Sequence, residues 1–250
     1  MPIVSIIMPS YNSALTIRES IESVQRQSLI DWELLITDDH SNDETRTIIK
    51  QYQKKDSRIK LFVLDSNGGA GVARNNSIEK AKGRFIAFLD SDDVWHKNKL
   101  EKQIDFMIEN GYALTYTAYQ KIDIDGCKGG VIQPPLNVNY EELLKSNVIG
   151  CLTAIYDTQL VGKVYMPHIR KRQDMALWLL ILKKIDFAWC LNEVLAYYRE
   201  GHASLSSNKI KVLSSQWYFY RVYLMLNVFS STYYFVHYVF RAFYKHRRAK

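Results

Sequence analysis

A chain of 250 residues that is 47% apolar buries a full core, which excludes a disordered tail and leaves room for one domain with an appendage. Its formal charge of +7 is unevenly placed: Arg241, Lys245, Arg247, Arg248 and Lys250 all fall in the last ten residues, so the body of the chain is near balance. That distribution argues against nucleic acid as a partner, because no basic face and no known nucleic-acid motif accompanies the tail.

Cys127, Cys151 and Cys190 are odd in number and lack the CxxC spacing of a zinc or redox site; they read as reduced core thiols of a cytosolic protein. Met1-Pro2 passes straight into the apolar run 3–8 without a basic leader, so no export signal is expected.

The run 3–8 is β-branched and closed by Pro9-Ser10-Tyr11-Asn12, which predicts a buried strand and a loop. Ile17, Ile21 and Val24 then fall at helical spacing within 15–27. A second strand is predicted at 32–37, and Ser41-x-x-Glu44 has the form of a capping box opening a helix with Ile48, Ile49 and Tyr52. A third strand at 59–64 leads through Asn67-Gly68-Gly69 into a helix with Val72, Ile78 and Ala81, and a fourth follows at 84–89. Strands alternating with helices predict an α/β fold, a parallel sheet with right-handed crossovers and helices on both faces. Beyond Gly111 the pattern thins to a strand at 113–119, a Gly/Pro/Asn-bearing excursion at 121–139 and a short helix at 140–147. An amphipathic helix at 173–184 with Leu177, Leu180 and Ile181 inward and strand-like segments over 188–198 complete the body, and no internal repeat is present.

In an open parallel sheet, ligands gather beyond the carboxyl ends of the strands. Three of the four predicted strands end in polar clusters: Ser10-Tyr11-Asn12, Asp38-Asp39-His40-Ser41 and Asp90-Ser91-Asp92-Asp93. On one sheet edge these bring at least five carboxylates to one crevice. Such crowding of negative charge calls for a cation, and Mg²⁺ or Mn²⁺ suits oxygen ligands shared with phosphates. Taken singly, Asp38-Asp39 reads equally as a helix cap or turn. Asp90-x-Asp92 with Glu101 at the twelfth position mimics part of an EF-hand loop, but Val94 and Trp95 stand where a ligand and the glycine belong. Gly69-Ala70-Gly71 begins a GxGxx pattern after the third strand instead of the first, with Arg74 in the third glycine's place. It reads either as a plain Gly-rich turn into a helix or as a turn from which Arg74 can reach a nucleotide.

Four motifs in register carry a resemblance: VSIIMPSYN at 4–12, DDHSNDET at 38–45, Asn67-Gly68-Gly69 with Ala73-Arg74-Asn75, and FLDSDD at 88–93. In order and spacing they resemble the successive motifs of the family 2 glycosyltransferases. The likeness continues at KRQDMALW, 171–178, and YYREGHASLS, 197–206, so it covers about residues 3–210. It implies a GT-A fold, a mostly parallel mixed sheet with helices on both faces, that binds a nucleotide-diphospho sugar with Mn²⁺ or Mg²⁺ and inverts the anomeric centre. It implies nucleotide contacts from Pro9, Tyr11, Asn12, Asp38, Asp39, Asn67, Gly69 and Arg74, with Asp90 and Asp92 beside them. Asp92 and Asp93 are implied as metal ligands, His202 as a contact to metal, diphosphate or acceptor, and Asp174 as general base.

The chemistry asks for those roles. An acceptor hydroxyl is a poor nucleophile, so a carboxylate in hydrogen-bond reach must take its proton, and a metal on the diphosphate neutralises charge on the leaving nucleotide. By the residues alone, Asp174 reads as a first-turn helix carboxylate favoured by the dipole. This chain has Gln173 where the family often carries Glu.

Residues 222–240 contain no Asp, Glu, Lys or Arg, a span long enough to consider a transmembrane helix. Asn227, Ser230, Ser231, Thr232 and His237 interrupt it. The expectation is two aromatic-rich amphipathic helices broken near Ser230-Ser231, lying in the headgroup region with 245–250 on anionic lipid. The rival is a helical pair packed on the catalytic domain or on a second copy of the chain, as a homo-oligomer.

The chain therefore divides into a catalytic domain at 1–212, with a nucleotide-binding half at 1–110 and an acceptor half at 111–212, and a membrane-associating tail at 213–250. Relatives with such a tail and an Arg-Gln-Asp motif look like enzymes assembling bacterial O-antigen, capsule or teichuronic acid. That implies a UDP-hexose or UDP-N-acetylhexosamine donor, a lipid-linked saccharide acceptor, and a cytoplasmic position on the inner membrane face. The alternatives are a sugar nucleotidyltransferase, whose lysine-bearing Gly-rich loop Pro9-Ser10-Tyr11-Asn12 does not supply, and a non-catalytic nucleotide-sugar-binding membrane adaptor.

Overall fold

Apolar runs that are buried on both faces build the centre of the molecule. A computed structural model describes residues 1–200 and 209–248, the side chains of 209–211 and 243–248 excepted. Val4–Ser10 (β1), Trp32–Asp38 (β2), Ile59–Val63 (β3) and Phe85–Phe88 (β4) run parallel in the order β3-β2-β1-β4. Successive side chains point to opposite faces. Ile6, Met8, Leu34 and Ile36 enter one core with Ile17 and Ile21 of Ile17–Gln25 (α1) and Ile48 and Ile49 of Thr45–Lys55 (α2). Ile7, Leu35, Ile86 and Phe88 enter the other, with Ile78 of Ala70–Lys80 (α3).

The second half brings in the antiparallel strands of the mixed sheet. Val94–Trp95 (β5), Lys99–Asn110 (α4), Leu114–Ile122 (β6), Lys128–Ile132 (β7), Asn137–Val138 (β8) and Tyr140–Lys145 (α5) follow in order. Ile155–Asp157 (β9), Thr158–Val161 (α6), Gln173–Leu182 (α7) and Ala188–Arg199 (β10) close a ten-stranded sheet, β3-β2-β1-β4-β9-β6-β10-β5, with β7 on β6 and β8 on β10. β9 is antiparallel to both β4 and β6, whereas β6 and β10 are parallel. The excursion at 121–139 therefore holds two strands, β7 and β8.

The capping box does not form. Glu44 takes the N-cap of α2 without a side-chain cap bond. Ser41 is committed instead to Asp38, through its N–H at 2.9 Å and its hydroxyl at 2.5 Å, and Asp43 accepts from Thr45 N–H at 3.0 Å. Cys127 is exposed, not a core thiol.

Nor is α7 amphipathic. Met175 through Leu179 are all buried, because Lys209–Tyr218 (α8), a π-helical turn Phe219–Tyr223 and Val228–Arg248 (α9) fold back over the body. Phe219 and Tyr220 join the core containing Leu177 and Trp178, and the Tyr220 hydroxyl donates to the Leu144 carbonyl. Arg241 of α9 pairs with Glu142 of α5 at 2.6 Å. The break in the tail falls at 224–227 and not at Ser230-Ser231, since Asn227 Oδ1 accepts from Ser230 N–H at 2.8 Å and caps α9. Another face of α9 leaves Phe229, Tyr233, Val236 and Phe240 exposed at helical spacing. Among the described residues no helix is long and apolar enough to cross a membrane.

Lys99 is fully buried in α4, donating to Gln103 Oε1 at 2.6 Å and lying 4.6 Å from the Trp95 ring centre. Burial pushes its ammonium down to about 7. The unfolded chain therefore binds more protons than the fold between about pH 7 and the ordinary lysine value, and stability rises with pH there. Denaturant melts from pH 7 to 9 are expected to show this rise, at up to about 1.4 kcal/mol per pH unit, and Lys99→Met to flatten it.

Candidate active site

The carboxyl ends of β1, β2 and β4 meet on one edge, and the loops beyond them are latched together. Asp38, expected on the nucleotide, is fully buried: besides Ser41 it accepts from Ser10 Oγ at 3.3 Å, and Arg46 approaches it at 3.9 Å. It shapes the loop and has no open side. Asp39 grips the Gly-rich turn, accepting from the Gly68 and Gly69 N–H groups at 2.7 and 2.8 Å, while Asn67 Nδ2 donates to the Asp39 carbonyl at 3.2 Å. Gly69 sits at φ +87°, the left-handed side that glycine tolerates, and starts α3. Asn12, at φ +48°, accepts from Asn42 N–H at 2.9 Å; Tyr11 beside it is half exposed, and Pro9 is buried in β1.

Arg74, in the first turns of α3, is enclosed and donates to Asp90 Oδ1 at 2.5 Å, with its Nε left unpartnered. Burial works against its charge, but Asp90, with Cys151 and Asp174 behind it, raises the proton affinity of the guanidinium. The strand β4 ends just before Asp90, and β5 begins just after Asp93, so the three aspartates occupy one tight connection. Asp93 is buried and accepts from Arg199 N–H at 2.9 Å. Burial, then Asp92 and Asp90, pushes its carboxyl well above the usual range. Asp92 stands at the exposed rim, where partial desolvation and Asp90 push it up to about 6.

Across the edge, α7 presents Asp174, whose Oδ2 accepts from Asn147 Nδ2 at 2.9 Å. Arg172 caps this helix at φ +65°, and its guanidinium donates to the Tyr238 hydroxyl of α9 at 2.7 Å. A cleft of about 360 Å³ joins the two sides, lined by Arg74, Asp90 and Asp93 on one and by Cys151, Arg172 and Asp174 on the other. Tyr119 and Tyr198 also border it, their hydroxyls pushed up to about 12 by burial and by Asp93.

This cleft thus unites Arg74, Asp90, Asp93 and Asp174. Tyr11, Asn12, Asp39, Asn67 and Gly69 sit on the neighbouring loops outside it, as does Asp92 at the rim. His202 lies outside the described residues. Among the described residues no three His, Cys, Asp or Glu converge as a closed metal cage. Two crowded carboxylates with raised proton affinity beside open space suit a hard divalent ion that draws its remaining oxygens from phosphates.

Sequence reasoning missed Arg199, Asn147, Arg172 and Cys151. Arg199 is buried and ties the acidic loop down, donating to the Asp92 carbonyl at 2.9 Å and to the Asp123 and Ile124 carbonyls at 3.0 Å, and pairing with Glu19. Its signals were a basic residue closing a long strand and its place in the stretch 197–206, whereas Asn147 and Cys151 lie where no periodicity is readable.

A mixed sheet in this order thus sets a carboxylate loop against a second carboxylate across one cleft. The family model for Glycosyl transferase family 2 matches residues 5–160, and the chain belongs to that family. It is 46% identical over 238 residues to TuaG of Bacillus subtilis (strain 168), a glycosyltransferase provisionally assigned to teichuronic acid biosynthesis, covering 95% of this chain and 94% of that one. It is 44% identical over 216 residues to the Escherichia coli UDP-Glc:alpha-D-GlcNAc-diphosphoundecaprenol beta-1,3-glucosyltransferase WfgD, covering 86% and 84% of the two chains. The fold is similar to that of S. aureus TarS 1-349 in complex with UDP-GlcNAc, with a TM-score of 0.73 at 23% identity over 96% of this chain and 72% of that chain.

Proposed function

We propose that the protein is an inverting, metal-dependent glycosyltransferase that moves a hexose or N-acetylhexosamine from a UDP-sugar to a lipid-linked saccharide in bacterial surface polysaccharide synthesis. The observation that carries this reading is the cleft with Asp93 and the Arg74–Asp90 pair on one wall and Asp174 on the other. Asp174 takes the proton of the acceptor hydroxyl as its oxygen attacks the anomeric carbon, and the bond from that carbon to the diphosphate breaks on the opposite side. Asn147 orients the Asp174 carboxylate. Tyr11, Asn12, Asp39, Asn67, Gly69 and Arg74 are assigned to the nucleotide, with Pro9 as its strand-end support and Asp90 and Asp92 near the ribose. Asp92 and Asp93 are assigned to a Mn²⁺ or Mg²⁺ ion, which when bound neutralises the leaving diphosphate.

The names of WfgD and TuaG support the donor class and the pathway. Residues 1–212 serve as the catalytic body and 213–250 as a tail that also packs on it. A peripheral position on the cytoplasmic face of the membrane is part of this reading, supported by the exposed stripe of Phe229, Tyr233, Val236 and Phe240 and by the basic residues at the end of the sequence. The test is a screen of UDP- and GDP-sugars with Mn²⁺, scored by hydrolysis and by transfer to a polyprenyl-diphosphate-linked N-acetylglucosamine. A UDP-sugar is expected to react only with metal present; binding of no nucleotide sugar with metal present overturns the reading.

A further inference from the structure

The segment that delivers Asp174 also borders a second cavity. Ile169 packs against the core, Arg170 and Lys171 are exposed, Arg172 lines the catalytic cleft, and the Gln173 side-chain amide donates to the Ile169 carbonyl at 2.5 Å, closing the turn. Arg170 and Lys171 stand over a groove of about 440 Å³ whose other walls are Ser215, Tyr218, Phe219 and Tyr223. Among the described residues neither cation has an acidic partner. A cationic rim above an aromatic floor suits an amphiphile with an anionic head, which takes charge-assisted hydrogen bonds from the rim and apolar contact from the rings.

Position narrows the ligand. Lys171 precedes Asp174 by three residues, so their Cα atoms are at most about 11 Å apart. A saccharide whose hydroxyl reaches Asp174 can therefore set its glycosidic phosphate at this rim. The mouth of the groove also leads toward apolar surface, since Tyr218, Val222 and Met225 are each more than half exposed. We propose that this groove seats the diphosphate and the first isoprenoid carbons of a polyprenyl-diphosphate acceptor, with its saccharide directed toward Asp174. The proposal rests on the lipid-linked acceptor reading and deepens it: Arg170 and Lys171 hold the acceptor, and the tail helices supply the path by which its chain leaves for the bilayer.

The test compares two ligands of the full-length protein in detergent: undecyl α-N-acetylglucosaminyl diphosphate, and undecyl α-N-acetylglucosaminide without phosphates. Calorimetry on the wild type is expected to show at least about tenfold preference for the diphosphate, the worth of one charge-assisted contact. Arg170→Glu with Lys171→Glu is expected to abolish that preference, and Arg170→Lys with Lys171→Arg to keep it. Should the reversed pair fail to fold by its melting curve, Arg170→Gln with Lys171→Gln replaces it. A wild type without the preference overturns the proposal, as does equal weakening of both ligands. A variant that keeps the preference while losing binding to phosphatidylglycerol vesicles, or losing a dimer in sedimentation, also overturns it, because the groove then meets bulk lipid or a second copy. Binding is read separately from chemistry: a wild type that shows the preference but transfers no sugar sinks the transferase reading and leaves the groove assignment standing.

Discussion

Asp174→Asn is expected to lower kcat by about 10²–10⁴-fold, the usual contribution of a positioned general base, while the affinity for the nucleotide sugar stays near that of the wild type. The substitution is nearly isosteric, and its side-chain oxygen still accepts from Asn147 Nδ2, so the bond now at 2.9 Å survives. What disappears is the lone pair basic enough to take the acceptor's proton. The first turn of α7 also loses a charge that suits its dipole, which costs about 0.3–1 kcal/mol of stability and does not threaten the fold. Calorimetric titration with the UDP-sugar and Mn²⁺, set beside steady-state transfer, separates the two effects. An unchanged kcat would remove Asp174 from the chemistry and leave it a helix-end carboxylate. A variant that instead failed to bind donor would place Asp174 on the nucleotide side.

The half of the fold that ends in the carboxylate loops was legible because its strands are buried on both faces and its crossovers are amphipathic. Ile6 and Ile7 diverge into different cores, yet both are required to be apolar, so the run itself announces the strand. The second half lacked that regularity. β9 pairs antiparallel between two strands and is three residues long, too short for periodicity to register. The helix α7 misled for a different reason: its outer side is covered by the tail, so a helix that looked half-exposed is buried almost all round. The carboxylate clusters were visible as clusters, but their division of labour was not. Asp38 and Asp39 are adjacent in sequence, yet in the fold one is closed between Ser10 and Ser41 while the other holds a glycine turn. Arg199 reaches Asp93 from 106 residues away, a relation that no local pattern encodes.

Asp93→Asn is expected to move stability and function in opposite directions. In the metal-free protein the Asp93 carboxylate is buried beside Asp92 and Asp90, and its ionised form is disfavoured. Among the described residues its direct bond is from the Arg199 N–H, which an asparagine oxygen accepts equally well. Removing the charge therefore relieves repulsion, and the melting stability at pH 7 should rise by about 1–3 kcal/mol. Arg199 retains its pairing with Glu19, so no buried cation is orphaned in exchange. The sign of the pH dependence follows. Between about pH 4, the ordinary carboxylate value, and the raised values in the fold, the native state binds more protons than the unfolded chain. Wild-type stability should thus climb as pH falls through about 6, where Asp92 titrates, and the climb should shrink in the variant. With donor and Mn²⁺ present the order reverses. Protons and the cation compete for the same oxygens, and a ligand set reduced from two carboxylates to one should lose at least about 100-fold in metal-dependent kcat/KM, the scale of several kcal/mol of lost charge stabilisation. Thermal melts of both proteins, with and without Mn²⁺ and UDP, read all of this in one series. The repulsion that burdens the empty loop is what a cation relieves, so a variant more stable without metal but unable to gain from it would tie the cost of the acidic loop to its use. A variant that Mn²⁺ and UDP stabilised as strongly as the wild type would remove Asp93 from the metal.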